Sequence, residues 1–409
     1  MSRRGRPTAP IPQTIDEITP EWCTHALADT SGGGIVTAVS VGAIGTDIGF
    51  AGDVLRAYLT WEEPGEGRPR SVVVKVPATN PLNRASAEAV GAYEREILVY
   101  RELSDDMGLP MPRHLFSDMT PNPAPWLEPI LIWLFEHLPM AALALLTRAA
   151  LWLSGKSRRR YVLVIEDIPD ARPPRQREGG TTEDVRDALV VLARFHAAHW
   201  MDQALVDEHG WIMPLDAAPR VMQAAYRNNR QVFVDRMGAV LRDDTMRQID
   251  AAQEDLPGIL HRLARPPWTL LHGDFRLDNV LVRADGSLVV LDFQLPRYGR
   301  PANDLAYFIT TAIDACDEEV EEELLRLYHS TLVAEGVADH PYEDMVEDVR
   351  AVTLVLGHAM VPTNQFLDLS VSDGESFGDE LSVRALGWLD ALADRNQAPT
   401  ANSRAPSDD

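Results

Sequence analysis

Residues Thr269–Gln294 read TLLHGDFRLDNVLVRADGSLVVLDFQ, and the fold is decided by what this stretch forms. Two apolar runs, Val280–Val282 and Leu288–Leu291, flank Ala284-Asp285-Gly286-Ser287. Asp-Gly between alternating apolar residues predicts a β-hairpin with a two-residue turn. In that register Val282 pairs with Val289, and Asn279 lies across from Asp292 at the open end. His272-Gly273-Asp274 sits just upstream, in a loop that Gly273 lets bend sharply. Local geometry thus brings Asp274, Asn279 and Asp292 towards one another. Two acids with an amide form a hard-cation site, which suits magnesium best.

The order Asp274, Asn279 five residues on, then Asp292 closing the next hairpin resembles the catalytic core of protein-kinase-like phosphotransferases. Protein kinases usually carry Arg where Gly273 stands and Gly where Gln294 stands. The pattern HGD…N, then DFQ, then Gly299-Arg300-Pro301-Ala302-Asn303-Asp304-Leu305-Ala306-Tyr307, is more similar to the aminoglycoside phosphotransferase and choline kinase superfamily. Its ecdysteroid-kinase-like (CHK kinase-like) branch is the nearest resemblance, covering roughly Ile18 to Leu392. An exposed hairpin with acidic ends does not explain why His272, Asp274, Asn279 and Asp292 occur together.

Elsewhere the chain fits this reading. Thr19-Pro20-Glu21-Trp22 is a helix start, and strand-like Ile35–Val41 and Val54–Trp61 follow. Between those strands lie Gly45, Thr46, Gly49 and Gly52, in a loop whose backbone can approach a phosphate. Next comes Ser71-Val72-Val73-Val74-Lys75-Val76-Pro77. A lysine in a buried apolar strand is costly unless paired, so Lys75 either lies at an exposed edge or has an acidic partner. The resemblance makes it the lysine that grips the ATP phosphates, with a helical glutamate behind it. Ala85–Leu103 reads as that helix. At about 100° per residue, Glu96 falls inside its apolar arc and Glu94 at the margin, so Glu96 is the expected partner. The resemblance selects the same residue. It also implies that backbone groups around Glu166–Ile168, after the strand Tyr161–Ile165, meet the adenine edge. Asp304 would start a helix, cap it, and help hold the catalytic loop.

Pro129–Leu153 (PILIWLFEHLPMAALALLTRAALWL) is not required by the family pattern. Pro139 divides it into pieces too short to span a bilayer singly. It reads as a buried helical insertion, an interfacial helical hairpin or a dimer contact. Trp133 and Trp152 near its ends, with Arg158-Arg159-Arg160 after it, suit contact with a membrane surface or admission of a hydrophobic acceptor. The helix Thr182–His199 carries His196 and His199, which read as packing residues because no carboxylate completes a zinc motif.

Composition sets outer bounds. The 409 residues are 45% hydrophobic and 24% charged, as in globular proteins, and long enough for two lobes. A net charge of −24 argues against nucleic-acid binding. Two cysteines, Cys23 and Cys316, give neither a disulfide framework nor a zinc motif and suit a reducing cytoplasm. The start, MSRRGRPTAPIPQ, has no apolar core of a secretory signal.

The expected architecture is α+β and bilobal, kinase-like, with a small antiparallel-sheet N-lobe and a mainly helical C-lobe. Residues 18–165 form the N-lobe with an insertion at 119–160, residues 166–396 the hinge and C-lobe, and 1–17 and 397–409 disordered tails. The resemblance implies an ATP- and Mg2+-dependent kinase of a small-molecule hydroxyl acceptor. Asp274 would be the catalytic group and Asn279 and Asp292 the metal ligands, with His272 and Asp304 in support. A nucleotide-binding pseudokinase and a metal-dependent hydrolase are the rival classes.

Overall fold

A computed structural model describes residues 10–44, 52–124, 126–172, 181–313, 318–366 and 374–397. The N-lobe runs α1 (Pro20–Ala26), β1 (Val36–Ala43), β2 (Gly52–Trp61), β3 (Ser71–Pro77), α2 (Pro81–Ala89), α3 (Ala92–Leu98), β4 (His114–Met119), α4 (Leu127–His137), α5 (Met140–Ser154) and β5 (Tyr161–Glu166). The C-lobe follows with α6 (Thr182–Ala198), α7 (Gln203–Glu208), β6 (Met213–Pro214), α8 (Pro219–Met237), α9 (Asp243–Glu254), α10 (Leu256–Leu263) and β7 (Thr269–Leu271). It ends with β8 (Val280–Val282), β9 (Leu288–Val290), β10 (Arg297–Gly299), α11 (Ala302–Ala312), α12 (Glu318–Ala334), α13 (Tyr342–Phe366) and α14 (Gly374–Gln397). The architecture is the expected α+β one.

The N-lobe sheet is antiparallel throughout, in the order β1-β2-β3-β5-β4. Strand alternation sorts β3 between two cores. Val72, Val74 and Val76 pack with α1 on one face. Val73 points to the other, where α2 brings Ala87, α3 brings Tyr93 and Ile97, and the turn after α3 brings Tyr100. Lys75 is on that second face because it is two residues from Val73. The period of the strand therefore aims Lys75 at α3. Residues 10–17, assigned to a tail from sequence, pack on this lobe: Trp22 Nε1 donates to the Pro10 carbonyl at 2.9 Å, and Ile15–Glu17 form a 3-10 turn.

Three expectations change. The helix over Ala85–Leu103 is not continuous. Gly91 adopts a left-handed conformation (φ 69°) and breaks it into α2 and α3. After Leu98 the chain continues as a π-helical turn, Val99–Leu103, and Val99 and Leu103 enter the C-lobe core. The helix that carries Glu96 is thus rooted in the opposite lobe. The hairpin of β8 and β9 also differs. Val280 pairs with Val290 and Val282 with Leu288, one residue out of the expected register. The Gly286 amide donates to the Arg283 carbonyl, and Gly286 is left-handed (φ 84°). This is a three-residue loop with a glycine bulge rather than a two-residue turn. Asn279 consequently faces Leu291, whose amide donates to the Asn279 carbonyl at 2.8 Å, and not Asp292. Third, Asp304 lies in the first turn of α11 after an N-cap at Pro301, and its carboxylate does not cap the helix.

The insertion is two helices divided at Pro139, as its sequence predicted. It is not an appendage of the N-lobe alone. Helix α5 packs on both α2 and the C-lobe helix α8, and α4 also rests on α8. Arg220 of α8 donates to the carbonyls of Glu136 and, at 2.7 Å, Leu138, closing the C-terminal end of α4. No helix among the described residues is long and apolar enough to cross a membrane.

Candidate active site

Lys75 is the junction of the two lobes. Its ammonium meets Glu96 Oε1 of α3 at 2.5 Å and Asp292 Oδ1, just beyond β9, at 3.2 Å. Burial opposes its charge, but the Asp292 and Glu96 carboxylates outweigh that and raise its pKa above the ordinary lysine value. Burial also pushes the Glu96 carboxyl up, with Lys75 opposing the shift. Glu94 is occupied elsewhere, 2.7 Å from Arg159. Gln294 Nε2 lies 3.5 Å from the second Glu96 oxygen. The glutamine that replaces the usual glycine after Asp-Phe therefore belongs to the cluster around the glutamate.

Asp292 has φ 68°, a conformation that non-glycine residues rarely adopt and that costs about 1–3 kcal/mol when held. That backbone twist, not hairpin register, turns its carboxylate into the cleft towards Lys75. The neighbouring Phe293 packs beneath Tyr100 of the π-helical turn, ring centroids 6.4 Å apart and edge-on.

Asp274 and Asn279 are tied together. The Asn279 amide donates to the Asp274 carbonyl at 2.8 Å and to Asp274 Oδ2 at 2.9 Å. Arg276 Nε approaches Asp274 Oδ1 at 3.5 Å while Nη1 bonds Asp278 at 2.8 Å. Burial disfavours the Arg276 charge, yet Asp274 and its acidic neighbours hold the guanidinium protonated. The Tyr307 hydroxyl, raised in pKa by burial and by Asp274, completes the surround.

The catalytic-type loop is held from below. The His272 and Gly273 amides donate to the two Asp304 oxygens at 2.6 and 2.9 Å. His272 Nε2 bonds the Leu291 carbonyl at 2.9 Å, and its Nδ1 receives the Asp274 amide at 3.2 Å. Asp304 is completely buried. Burial alone would raise its carboxyl pKa, but His196, His272 and the Gly273 amide hold it low. His196 Nε2 lies 3.3 Å from Asp304, and its Nδ1 2.6 Å from the Tyr328 hydroxyl.

Gly273 stands where protein kinases carry arginine for a local reason. It is left-handed (φ 83°), and a Cβ there would collide with the Leu295 carbonyl. Gly273→Ala should lower stability through two penalties, each about 1–3 kcal/mol, one for backbone strain and one for overpacking. Denaturant midpoints check this, and an unchanged midpoint would show that the loop has another conformation.

Of the other expected residues, Gly52 begins β2 and is buried, and a Cβ there would come within 3.0 Å of the Val76 carbonyl. Gly45, Thr46 and Gly49 lie outside the described residues. At the hinge, the Glu166 amide is taken by the Arg113 carbonyl at 2.9 Å, so it is not a donor for a ligand. Ile168 follows in a turn whose carbonyl receives the Ala171 amide at 3.2 Å. Asp167 is fixed between Arg56 and Ser71. Arg172 then pairs with Val282, joining hinge to hairpin.

Sequence reasoning missed Arg276, Tyr307, Gln294 and His196. Only Arg276 carried a signal: an arginine set between Asp274 and Asp278 at two-residue spacing in the loop itself. His196 was read as packing, yet it is a partner of Asp304.

The donors fit a hard divalent cation. With the Asn279 nitrogen spent on Asp274, the amide oxygen is the atom left for a cation, and Asp292 adds a carboxylate oxygen that Lys75 does not use. No group of three His, Cys, Asp or Glu side chains among the described residues could hold a metal by itself. Magnesium in phosphoryl-transfer sites needs no such cage, because substrate phosphates complete its shell.

The Lys75/Glu96 contact gives a direct prediction. Lys75→Ala and Glu96→Ala should be non-additive in catalytic efficiency, with a coupling of about 0.5–3 kcal/mol, since each removes the same pair. Additive losses, with Glu94→Ala the more damaging, would contradict this pairing.

Comparison with known proteins agrees with this architecture. The ecdysteroid kinase-like family model matches residues 143–336. Choline kinase from Cryptosporidium parvum Iowa II is 12% identical with a TM-score of 0.51, over 88% of this chain and 92% of that one. Macrolide 2'-phosphotransferase MphH from Brachybacterium faecium is 15% identical with a TM-score of 0.43, over 85% and 92%. Choline kinase LicA from Streptococcus pneumoniae is 12% identical with a TM-score of 0.46, over 86% and 94%. Among curated protein sequences, none matches significantly. The chain is thus matched to the ecdysteroid kinase-like family through residues 143–336 and shares its bilobal fold with choline kinase, as the motif resemblance implied.

Proposed function

We propose that the protein is an ATP-dependent kinase that transfers the γ-phosphoryl group to a hydroxyl of a small molecule. The observation that carries this reading is the Lys75 junction, which joins α3 of one lobe to the Asp292 loop of the other at the cleft. Phosphoryl transfer is mainly positioning and charge neutralisation, and this cluster serves both. Lys75 grips the ATP phosphates, and Glu96 fixes the lysine. Asp274 accepts the proton of the acceptor hydroxyl as its oxygen attacks the γ-phosphorus. Asn279 and Arg276 hold the Asp274 carboxylate in one orientation. A magnesium ion would be held by Asn279 Oδ1 and the Asp292 carboxylate and would neutralise phosphate charge there.

The acceptor is a small molecule rather than a peptide on sequence grounds: no extended segment with an Ala-Pro-Glu motif follows Asp292. A screen of amino-alcohols, sugars, sterols and hydroxylated antibiotics with ATP and magnesium tests the proposal. ADP should accumulate only with particular compounds. ADP formed at one rate regardless of the compound would mark a hydrolase, and bound ATP with no turnover a binding module.

A further inference from the structure

Helix α5 buries one side, α4 rests on α8 with no side chain fully buried among its described residues, and both leave apolar side chains uncovered. Leu143 of α5 is fully buried, and the packed sides meet α2 and α8. On the outward side, Trp126, Trp133, Leu145, Trp152 and Leu153 are each 58–67% exposed, and Ile130 is exposed as well. Their spacing is helical. Trp126, Ile130 and Trp133 share one face of α4, and Leu145 and Trp152 one face of α5. Single exposed apolar residues need no explanation, but three tryptophans and three aliphatics on two adjoining elements do.

The charge at this place opposes the charge of the whole. The protein carries −24, yet residues 126–160, which span both helices, hold five lysines and arginines against two acids, Glu128 and Glu136, both on α4. Arg159 is paired with Glu94, and Arg160 donates to the Ile11 carbonyl. Arg148, Lys156 and Arg158 remain exposed. Leu145, Arg148, Trp152 and Lys156 follow at intervals of three and four along one face, and the Lys156 ammonium lies 3.4 Å over the Trp152 ring. At the end of α4, His137 stacks on Trp133 with ring centroids 4.6 Å apart. Apolar and aromatic bodies with cationic tips on the same face are suited to the boundary between acyl chains and headgroups.

The helices are too short to cross a bilayer. Their 11 and 15 residues span about 16 and 22 Å, against a hydrocarbon core of about 30 Å. We propose that the outward face of α4 and α5 docks in the plane of an anionic lipid surface, with the tryptophans and leucines in the interface and Arg148, Lys156 and Arg158 at the headgroups. The proposal does not depend on the chemistry of the cleft. Because α5 also touches α2 and α8, it sets the side of the enzyme that faces the lipid.

Co-sedimentation of the full chain with phosphatidylcholine vesicles, with and without phosphatidylglycerol, tests it. Binding should require phosphatidylglycerol and fall as salt rises. Trp133→Ser combined with Trp152→Ser should weaken it at least about tenfold while leaving the melting temperature unchanged, since both rings are exposed. Arg148→Glu with Lys156→Glu should remove the phosphatidylglycerol dependence. Absence of binding to both vesicle types overturns the proposal. So does a concentration-dependent dimer in light scattering that the tryptophan variant dissociates, because the face would then cover a second copy of this chain.

Discussion

Asp274→Asn is expected to lower turnover by about 10²- to 10⁴-fold while leaving ATP affinity nearly unchanged. The substitution keeps the size of the side chain and one oxygen for the Asn279 amide, which now donates to Asp274 Oδ2 at 2.9 Å. It removes the group proposed to take the hydroxyl proton. Lys75, proposed to grip the phosphates, bonds Glu96 and Asp292, and the substitution leaves both contacts in place. Turnover from ADP release and nucleotide affinity by calorimetry separate the two effects. Near-normal turnover would remove Asp274 from the mechanism.

Asp292→Ala should abolish the magnesium dependence of ATP binding, with affinity in magnesium falling at least about tenfold. Two contributions act together. The variant loses the oxygen proposed to meet the magnesium, and it releases Lys75 from a contact of 3.2 Å. Alanine also tolerates the left-handed backbone at this position less well than aspartate. Asp292→Asn, which keeps a short polar side chain suited to that backbone, should therefore lose the magnesium effect without the added strain. Calorimetry with and without magnesium reads both variants. A magnesium effect preserved in both would place the cation elsewhere.

Much of this was legible in the chain. The resemblance put a helical glutamate behind Lys75, and helical phase chose Glu96 over Glu94. That phase follows from spacing, so it survives errors in element boundaries. The hairpin was legible as a hairpin but not in register. Asp-Gly predicts a two-residue turn from local preference, whereas a glycine in the left-handed last position of a three-residue loop satisfies the same sequence. The slip moved Asn279 opposite Leu291, yet Asp292 still reaches Lys75 because its own φ of 68° redirects it. No propensity predicts a strained non-glycine residue; it is imposed by the packing around it.

The support beneath the loop was half legible. Asp304 was expected to hold the loop, and it does so through the His272 and Gly273 amides. Its link to His196 joins residues 108 apart in sequence, and nothing in the local pattern of α6 signals it. The insertion was legible as two short apolar helices. That its apolar surface divides into a packed side and a bare side depends on where α2 and α8 lie, which is a tertiary fact.

The proposed transfer of the γ-phosphoryl group to a hydroxyl oxygen, with Asp274 as the proton acceptor, can be followed atom by atom. The most direct measurement supplies γ-labelled ATP, magnesium and a hydroxyl compound that stimulates ADP release, and follows the label by mass spectrometry. A labelled phosphomonoester of that compound should form with the parent protein and be lost in Asp274→Asn. Label recovered only as inorganic phosphate, or an undiminished phosphomonoester from Asp274→Asn, would contradict it.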